Sequence, residues 1–411
     1  VLSGQITGTA TGMPLGPLIT TTCLCSALGC LLMGIWANYP VGLAPGMGAN
    51  FLFVLTLLPA VAGILGLPAG DSRIWQTALG VVFVSGVFFW LITLANLRQI
   101  LMSAISTNLK LGIAAGIGLF ITLIGLGNAE IVEIRSGHFA LTSHFAAPNV
   151  IVFGIGLLVA ATLAHRKVSG AILWGIAAAT VAALCFGKVK FGAVAALPEN
   201  PMPILGKLDL GDVFANFLRL LPLILIFTMM DIFDTIGTLI GVATRAGMID
   251  AKGNIPGLKQ AFYSDAVATM SGALFGHSTV TSYIESSTGV ESGGRTGLVA
   301  VVVGIGFLFA LFFQPVISMI AAYPPITAPA LVLVGVMMVS CVKEIDWEDL
   351  SEALPSFLVI VGIVFFYSIA DGIVLALVFY PLLKLLCRKG KELGLVTYII
   401  AALLLIYLIW R

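Results

Sequence analysis

The amino-acid sequence predicts an all-α polytopic membrane protein, and three observations carry that prediction. Hydrophobic residues make up 59% of the 411 residues, whereas charged residues make up only 9%, far below the roughly 25% of a soluble domain. The mean hydropathy is +1.11. The apolar runs are about 16 to 25 residues long and do not alternate, which fits membrane-spanning helices of about 20 residues rather than barrel strands of about 10.

The predicted spans follow one another with mostly short polar connections. Two of them, 41–66 and 278–290, are interrupted by glycine and polar residues, and residues 395–410 either span the bilayer or lie along its interface. At bilayer depth, non-helical backbone persists only where it is buried in protein or lines a cavity, so the interruptions are candidate sites. The full set of predicted spans is 17–37, 41–66, 76–97, 103–127, 148–164, 169–186, 214–243, 261–276, 278–290, 296–320, 326–342, 355–370, 371–387 and 395–410.

The distribution of charge predicts how the chain is oriented in the membrane, and the net charge argues against nucleic acid as a partner. The basic hairpin at 165–167 and the basic cluster at 384–391 belong in the cytoplasm under the positive-inside rule. The net charge of +1 gives no electrostatic footprint for nucleic acid. The cysteines lie in or beside apolar runs without CxxC spacing, which indicates packing rather than a metal site or a disulfide; they are Cys23, Cys25, Cys30, Cys185, Cys341 and Cys387.

The two halves of the chain echo each other. Residues 76–82 open a helix after the first interrupted segment, and residues 295–301 open a helix after the second. Each half also ends in a tight pair of spans, at 148–186 and 355–387. Paired halves with glycine-interrupted segments in matching places are typical of a transporter repeat with a midplane site. Chance similarity between apolar helices is the alternative.

The strongest chemical signal is a pair of acids inside an apolar helix. Asp231 and Asp234 lie within the run from Leu220 to Val242, and their spacing of three residues places them on one helix face. A carboxylate at bilayer depth is costly and is a functional-site candidate by default. Two neighbouring carboxylates predict that one of them carries a proton. The alternative is an aspartate that braces a neighbouring helix.

The second signal is the polar string from Gly276 to Ser287, which membrane segments flank. Its β-branched residues predict a short extended stretch followed by a half-helix that starts near Glu285. Glu285 suits two adjacent N–H groups of a planar heterocycle, and Tyr283 lies on the same side if the backbone there is extended. A re-entrant loop with purely structural polar packing is the alternative.

The third signal is the string from Leu43 to Phe53, in which one proline and two glycines again break the helix. Asn50 offers an amide donor and an amide acceptor to the edge of a heterocycle. Phe51 or Phe53 suits stacking on a ring face, although aromatic residues in apolar helices more often pack in the core.

Three further features are weaker candidates. Asp265 pairs with a neighbour or caps a helix, and His277 sits at a loop edge where a structural role is the commoner one. The acids at 346–352 look like a solvated loop.

The three polar strings resemble those of the AzgA-like purine permeases, a branch of the nucleobase–cation symporter-2 (nucleobase–ascorbate transporter) superfamily. The similarity covers nearly the whole chain, and the strings are long, polar and unusual. The chain departs from the family at His277, where relatives usually carry a small or hydroxylic residue. The matching stretches are 37–40, 43–50, 233–242, 278–286 and 293–298.

The resemblance implies a 7+7 inverted repeat of fourteen spans, with short β-stretches in spans 3 and 10 that meet at the substrate. It implies a core domain at 1–100 (spans 2–4) and 205–322 (spans 8–11). It implies a gate domain at 101–190 (spans 5–7) and 323–411 (spans 12–14 with the C-terminal apolar segment). The family's first span precedes the region of Val1, so we expect that span to be missing from this sequence.

The resemblance also implies a function. It predicts no enzyme but a proton-coupled symporter that imports purine nucleobases (hypoxanthine, guanine or adenine) by elevator-type alternating access. The expected location is the cytoplasmic membrane of a bacterium or a plasma membrane, and the expected partners are a purine, the lipid bilayer and a second copy of the chain. The proton is the coupling ion, with no metal or other cofactor. Substrate-binding candidates are Gly48, Asn50, Phe51, Asp231, Thr279, Ser282, Tyr283 and Glu285, and proton-coupling candidates are Asp231, Asp234 and Glu285.

Two other functions stay open at this point. An anion transporter or exchanger of the same 7+7 architecture would bind its ligand at helix N-termini with a basic residue, and carboxylates at the midplane would repel that ligand. An intramembrane hydrolase would need an aspartate pair from two facing helices, whereas Asp231 and Asp234 share one helix.

Overall fold

The protein is an all-α polytopic membrane protein, as predicted. The computed structural model describes residues 2–4, 10–95, 106–135, 138–190, 192–248, 255–283, 285–291 and 293–410. Among these residues, eight helices are long and apolar enough to cross a membrane by length and composition. Strands occur in the described ranges only as two short antiparallel pairs.

The elements of the first half follow the predicted spans closely. Asp71 and Ser106 cap two of the helices through their side chains, which satisfies N–H groups left unpaired at the helix starts. Two helices contain π-helical turns, at Leu32–Trp36 and Phe53–Leu57. In chain order the elements are α1 (Leu15–Trp36), β1 (Leu43–Pro45), α2 (Met47–Leu65), α3 (Ser72–Leu94), α4 (Thr107–Asn128), β2 (Val132–Arg135), β3 (His138–Leu141), α5 (Pro148–His165) and α6 (Ala171–Cys185).

The second half repeats this pattern. The predicted segment 278–290 is a strand followed by a short helix that starts at Ser286, next to the predicted start at Glu285. In chain order the elements are α7 (Leu210–Ala215), α8 (Phe217–Ala246), α9 (Leu258–Leu274), β4 (Val280–Ser282), α10 (Ser286–Glu291), α11 (Leu298–Ala321), α12 (Ala328–Val339), α13 (Leu350–Phe365), α14 (Ile369–Leu386) and α15 (Leu395–Trp410).

The interrupted segments of the two halves meet as paired strands. β1 runs antiparallel to β4, with Leu43 opposite Ser282, Ala44 opposite Thr281 and Pro45 opposite Val280. Each strand follows a long helix and directly precedes the start of a further helix, so β1 and β4 occupy equivalent places in the two halves. Equivalent strands run antiparallel when a two-fold axis relates the halves. This pairing confirms the predicted meeting of the two β-stretches and agrees with an inverted repeat.

The chain divides into two compact units. The first unit contains the described residues within 10–95 and 195–314, and the second contains those within 106–190 and 315–410. Both β1 and β4 belong to the first unit, as do all the candidate site residues. The assignment of the first unit as core and of the second as gate stays a prediction.

The turn at Asn38 and Tyr39 fastens helices of the first unit to one another. Asn38 Oδ1 accepts from the N–H of Gly297 at 2.9 Å, and Tyr39 Oη donates to the carbonyl of Leu239 at 3.1 Å. A Cβ atom on Gly297 would lie 2.0 Å from the carbonyl oxygen of Gly34, so only glycine permits this approach of α11 to α1. The fully buried tyrosine thereby fixes α8, the helix that carries the acidic pair.

A buried lysine organises one end of the second unit. Lys384 on α14 is 3% exposed, and its Nζ lies 2.8 Å from a carboxylate oxygen of Glu352 and 2.8 Å from one of Glu392. Tyr380 Oη donates to Glu352 at 3.1 Å, and Asn108 at the start of α4 donates to it at 3.4 Å. The sequence placed Glu352 in a solvated loop; this is wrong, because its carboxylate joins α4, α13 and α14.

Replacing Lys384 with Met is expected to destabilise the protein by about 3 to 5 kcal/mol, because it leaves a largely buried carboxylate without its cation. The measurement is the thermal melting temperature of the detergent-solubilised protein. Lys389→Met is the matched control, since Lys389 lies 2.6 Å from Asp349 in a pair that is far more exposed. Lys389 holds the pKa of Asp349 at about 2, but solvent screens an exposed pair, so this one contributes little to stability. Equal melting temperatures for the two variants would contradict the prediction.

Candidate functional site

The strand pair is the scaffold of the candidate site. Its ladder extends beyond the strands at both ends: Gly46 N–H donates to the carbonyl of Thr279 at 3.1 Å, and Tyr283 N–H donates to the carbonyl of Gly42 at 3.0 Å. Five consecutive positions on each segment are therefore fixed in register. Gly46 precedes α2 without a side-chain cap, so among the described residues the first N–H groups of α2 have no partner beside the strands.

A small pocket opens beside this scaffold. Residues of α2, α8 and the turn before β4 line it: Ala49, Phe227, Met230, Asp231, Asp234 and Thr279. Both members of the acidic pair contribute to one wall, as their spacing predicted. Asp231 is 3% exposed, whereas Asp234 is exposed. The pocket thus presents one deeply buried and one accessible carboxylate.

Asp231 has one engaged and one unengaged oxygen. Its Oδ2 accepts from the hydroxyl of Thr269 on α9 at 2.7 Å. Its Oδ1 is buried and has no hydrogen-bond partner. Among the described residues, no lysine, arginine or histidine forms an ion pair with either acid of the pair. A buried carboxylate oxygen of this kind is ready to accept a proton or a ligand N–H group.

Asp265 on α9 is a second buried acid beside the pair, and sequence reasoning ranked it too low. It is fully buried, and three hydroxyls donate to it. Ser282 Oγ lies 2.6 Å from Oδ1, while Thr235 Oγ1 and Thr281 Oγ1 lie 2.5 and 3.4 Å from Oδ2. The carboxylate therefore ties β4 to α8 and α9, and holds the strand against the helix of the acidic pair.

A signal for this role was present in the sequence. Asp265 and Thr269 are four residues apart in an apolar helix, so both polar groups face the same side. Thr269 also donates to the carbonyl of Val280 at 3.3 Å, in addition to its bond with Asp231. Reading the two residues together as one polar face would have placed α9 against the site.

The predicted residues of α2 occupy different environments. Asn50 is half-buried, and its Oδ1 accepts from the hydroxyl of Ser278 at 2.6 Å. Gly48 is half-buried, and Phe51 is fully buried. None of the three is among the residues that line the pocket, where Phe227 and Met230 of α8 supply the large apolar surface. A stacking role for Phe51 stays a prediction. The aromatic residue that lines the pocket is Phe227.

The predicted residues of the second string are also divided. β4 ends at Ser282, and residue 284 lies outside the described residues, so the alignment of Tyr283 with Glu285 stays a prediction. Tyr283 Oη donates to the carbonyl of Pro45 at 2.8 Å. Ser282 turns its hydroxyl to Asp265, and Thr279 lines the pocket. Glu285 is exposed and lies near enough for its charge to act on that of Asp234.

His277 packs against the start of α1. Its Nε2 lies 3.1 Å from Thr21 Oγ1, 3.0 Å from Thr22 Oγ1 and 3.2 Å from the carbonyl oxygen of Leu18. Both threonine hydroxyls donate to that same carbonyl, at 3.2 and 2.6 Å. Since all three oxygens act as acceptors toward the ring, Nε2 carries the hydrogen. The side chain therefore anchors the turn before β4.

Replacing His277 with Ala is expected to lower the stability by about 1 to 3 kcal/mol, because the buried acceptors on α1 lose their donor. His277→Gln is expected to retain most of the stability, since the Gln side-chain amide places an N–H group near the position of Nε2. Melting temperatures of the purified variants provide the measurement. A Gln variant as unstable as the Ala variant would argue against the anchoring bond.

Known proteins resemble this chain over nearly its whole length. A model of the family named Xan_ur_permease, described as "Permease family", matches residues 1–375. The adenine permease AdeQ of Escherichia coli (strain K12) is 37% identical over 386 residues, which cover 94% of this chain and 84% of the relative. The guanine/hypoxanthine permease PbuO of Bacillus subtilis (strain 168) is 37% identical over 401 residues, which cover 97% and 90% of the two chains.

Solved structures share the fold at low sequence identity. The transmembrane domain of the cyanobacterial bicarbonate transporter BicA superposes with a TM-score of 0.60 and 14% identity, covering 90% of this chain and 96% of that one. SLC26A9 superposes with a TM-score of 0.60 and 11% identity, covering 93% and 65%. These likenesses show the 7+7 transporter fold. The family match and the curated relatives show that the chain is an integral membrane protein that belongs to the permease family of nucleobase–cation symporter-2 transporters.

Proposed function

We propose that this protein imports purine nucleobases with protons by an elevator-type movement. The observation that carries the proposal is the pocket beside the β1–β4 pair, where Asp231 and Asp234 offer acceptors and no lysine, arginine or histidine of the described residues pairs with them. A ligand that fits must bring hydrogen-bond donors and no negative charge, and purine bases meet both conditions through their N–H groups. Relatives aligned over nearly the whole chain are named adenine permeases and guanine/hypoxanthine permeases.

The proposed binding mode follows from donor and acceptor types. Glu285 and Asp234 accept from the N–H groups of the base, and the apolar side chains of Phe227 and Met230 cover a ring face. Asn50 contributes a polar contact to another edge. The unpaired N–H groups at the start of α2 add donors for the ring nitrogens or an exocyclic oxygen.

The proposed coupling step uses the buried acid. Asp231 takes up and releases the proton, because one of its oxygens is buried without a partner, and Asp234 tunes it from the same helix face. Loading both proton and base neutralises charge that is costly to carry through the bilayer. The elevator step moves the first unit as one body, because β1, β4, α8 and α9 all belong to it.

An anion exchanger of the same architecture is the competing function. The solved structures of that fold include a bicarbonate transporter and an anion transporter. At identities of 14% and 13%, these likenesses support a shared fold but not a shared ligand. Two carboxylates in the pocket repel an anion, and no described lysine or arginine lines that pocket. The site therefore favours the purine.

The proposal includes a homodimer as the working form, which the family resemblance implies. Light scattering of the detergent-solubilised protein, corrected for bound detergent, measures its mass directly. A mass corresponding to a single chain would refute this part and leave the transport proposal untouched.

Uptake into proteoliposomes tests the transport proposal. Radiolabelled hypoxanthine, guanine and adenine are each offered with and without an inward proton gradient. Accumulation of at least one purine that a protonophore abolishes, with competition by purines but not by uracil or bicarbonate, is the expected result. Gradient-independent uptake would refute proton coupling, and competition by bicarbonate alone would support the anion exchanger.

A further inference from the structure

The amide of Asn50 has a partner on one side only. Ser278 is fully buried, and its Oγ lies 2.6 Å from Asn50 Oδ1. Among the described residues, neither side chain makes another hydrogen bond. The Asn50 Nδ2 group has no partner there, and the residue is half-buried rather than buried. Its immediate neighbour Ala49 lines the pocket, as does Thr279 next to Ser278.

The donor and acceptor groups of Ser278 and Asn50 decide which way the Asn50 amide is turned. A side-chain amide can rotate by half a turn, which would present Nδ2 to Ser278 in place of Oδ1. The serine hydroxyl would then accept, and its own hydrogen would be left without an acceptor in a fully buried position. An unmade buried hydrogen bond costs more than a made one contributes, so the orientation with Oδ1 toward Ser278 is favoured. The distance of 2.6 Å also fits O–H···O geometry.

The backbone holds the Ser278 hydroxyl in place from both sides. On one side His277 anchors the turn to α1 through its Nε2 hydrogen. On the other side the carbonyl of Thr279 accepts from Gly46 N–H at 3.1 Å and so belongs to the strand ladder. The hydroxyl is therefore a fixed donor, and the amide is the group that must adapt to it.

We propose that Ser278 is a positioning residue, which turns the Asn50 amide so that its Nδ2 hydrogens face the substrate. The inference rests on the proposed function, and it adds that the site reads a hydrogen-bond acceptor of the purine at this point. The acceptor is a ring nitrogen or the 6-oxo group. A base that carries a C–H or an N–H group at that position offers no acceptor to the Nδ2 hydrogens. The site therefore rejects such a base.

The test pairs variants of Ser278 with purines that each lack one acceptor. Inhibition constants against labelled hypoxanthine are measured in proteoliposomes for hypoxanthine, its 3-deaza and 7-deaza analogues, and purine without the 6-oxo group. In the unmodified protein at least one analogue is expected to bind about tenfold more weakly than hypoxanthine. In Ser278→Ala the amide is free to turn, and that ratio is expected to fall to about threefold or less, while the other ratios do not change.

Two further variants separate positioning from general damage. Ser278→Thr keeps the hydroxyl and is expected to restore the original ratio. Ser85→Ala removes another buried hydroxyl of the first unit, whose Oγ donates only to the carbonyl of Val82 at 2.7 Å, and is expected to leave every ratio unchanged. If Ser278→Ala fails to fold, Ser278→Cys, which carries a weaker donor of similar size, takes its place.

The outcomes divide cleanly. Equal weakening of all four ligands in Ser278→Ala would show a merely structural role and overturn the inference. An unmodified protein that does not distinguish any analogue from hypoxanthine would also overturn it, because no acceptor is then read. Absence of competition by any purine would instead refute the proposed function, which is a different result.

Discussion

Asp231→Asn is expected to abolish gradient-driven accumulation of purine while retaining purine exchange. The Asn side chain has the same size, and its amide oxygen still accepts from the Thr269 hydroxyl, which now engages Oδ2 at 2.7 Å. The amide has no oxygen that can bind a proton near neutral pH. The variant therefore lacks the buried, unpartnered carboxylate oxygen Oδ1 that is proposed to take up the proton. Accumulation under an inward proton gradient and exchange without one are measured side by side in proteoliposomes.

The matched control is an aspartate in the same unit but away from the site. Asp212 pairs with Arg73 at 2.8 Å on a partly exposed surface, where solvent screens such pairs and they contribute little to stability. Asp212→Asn is expected to accumulate purine normally. If Asp231→Asn accumulates as much purine as Asp212→Asn does, the proton is carried elsewhere, and the coupling proposal fails for this residue.

Much of the fold was predictable because the bilayer imposes simple rules. Long apolar runs have to be helices, and the two runs broken by proline and glycine had to be buried or to line a site. The structure places β1 and β4 at those breaks. The spacing of Asp231 and Asp234 also sufficed to put them on one wall, since it depends only on helix geometry.

The partners of polar side chains were not predictable in the same way. Ser278 reaches Asn50 across 228 residues, and Ser282 reaches Asp265 across 17. Such contacts depend on how helices and strands dock, which periodicity along one segment does not contain. The alignment of Tyr283 with Glu285 stays a prediction for a related reason, because it depends on the backbone at residue 284, which lies outside the described residues.

The described contacts form two polar groups beside β4, one around Asp231 and one around Asp265. Thr269 links Asp231 to the carbonyl of Val280, and Thr235 lies 3.2 Å from Thr281 through their hydroxyls. Asp231, the proposed proton carrier, is thereby connected to β4 by the hydroxyl of Thr269, which can donate or accept. A change of charge at Asp231 is expected to alter how the Thr269 hydroxyl is directed, and thus to reach β4, which borders the proposed substrate site.

Asp265→Ala is expected to lower purine uptake by roughly 100-fold, the largest loss among residues that do not line the pocket. It removes the acceptor of three buried hydroxyls, and each unmade bond costs about 1 to 3 kcal/mol. A tenfold loss corresponds to about 1.4 kcal/mol. Part of the cost of the unmade bonds is therefore enough for the expected loss of uptake, provided that it displaces β4. Asp265→Asn is expected to be intermediate, because one amide oxygen remains to accept. Initial uptake rates, normalised to the amount of folded protein, are the measurement.

A double-mutant cycle shows whether Asp265 acts through the strand. Ser282→Ala removes one of the three donors at 2.6 Å and is expected to reduce uptake by about tenfold or less. If the carboxylate works by holding β4, Ser282→Ala causes little further loss in the Asp265→Ala background, because the bond is already absent. Fully additive losses would mean that the two side chains act separately. The same cycle with Thr235→Ala tests the bond to α8, and coupling in both cycles would identify the carboxylate as the joint between the strand and the helix of the acidic pair.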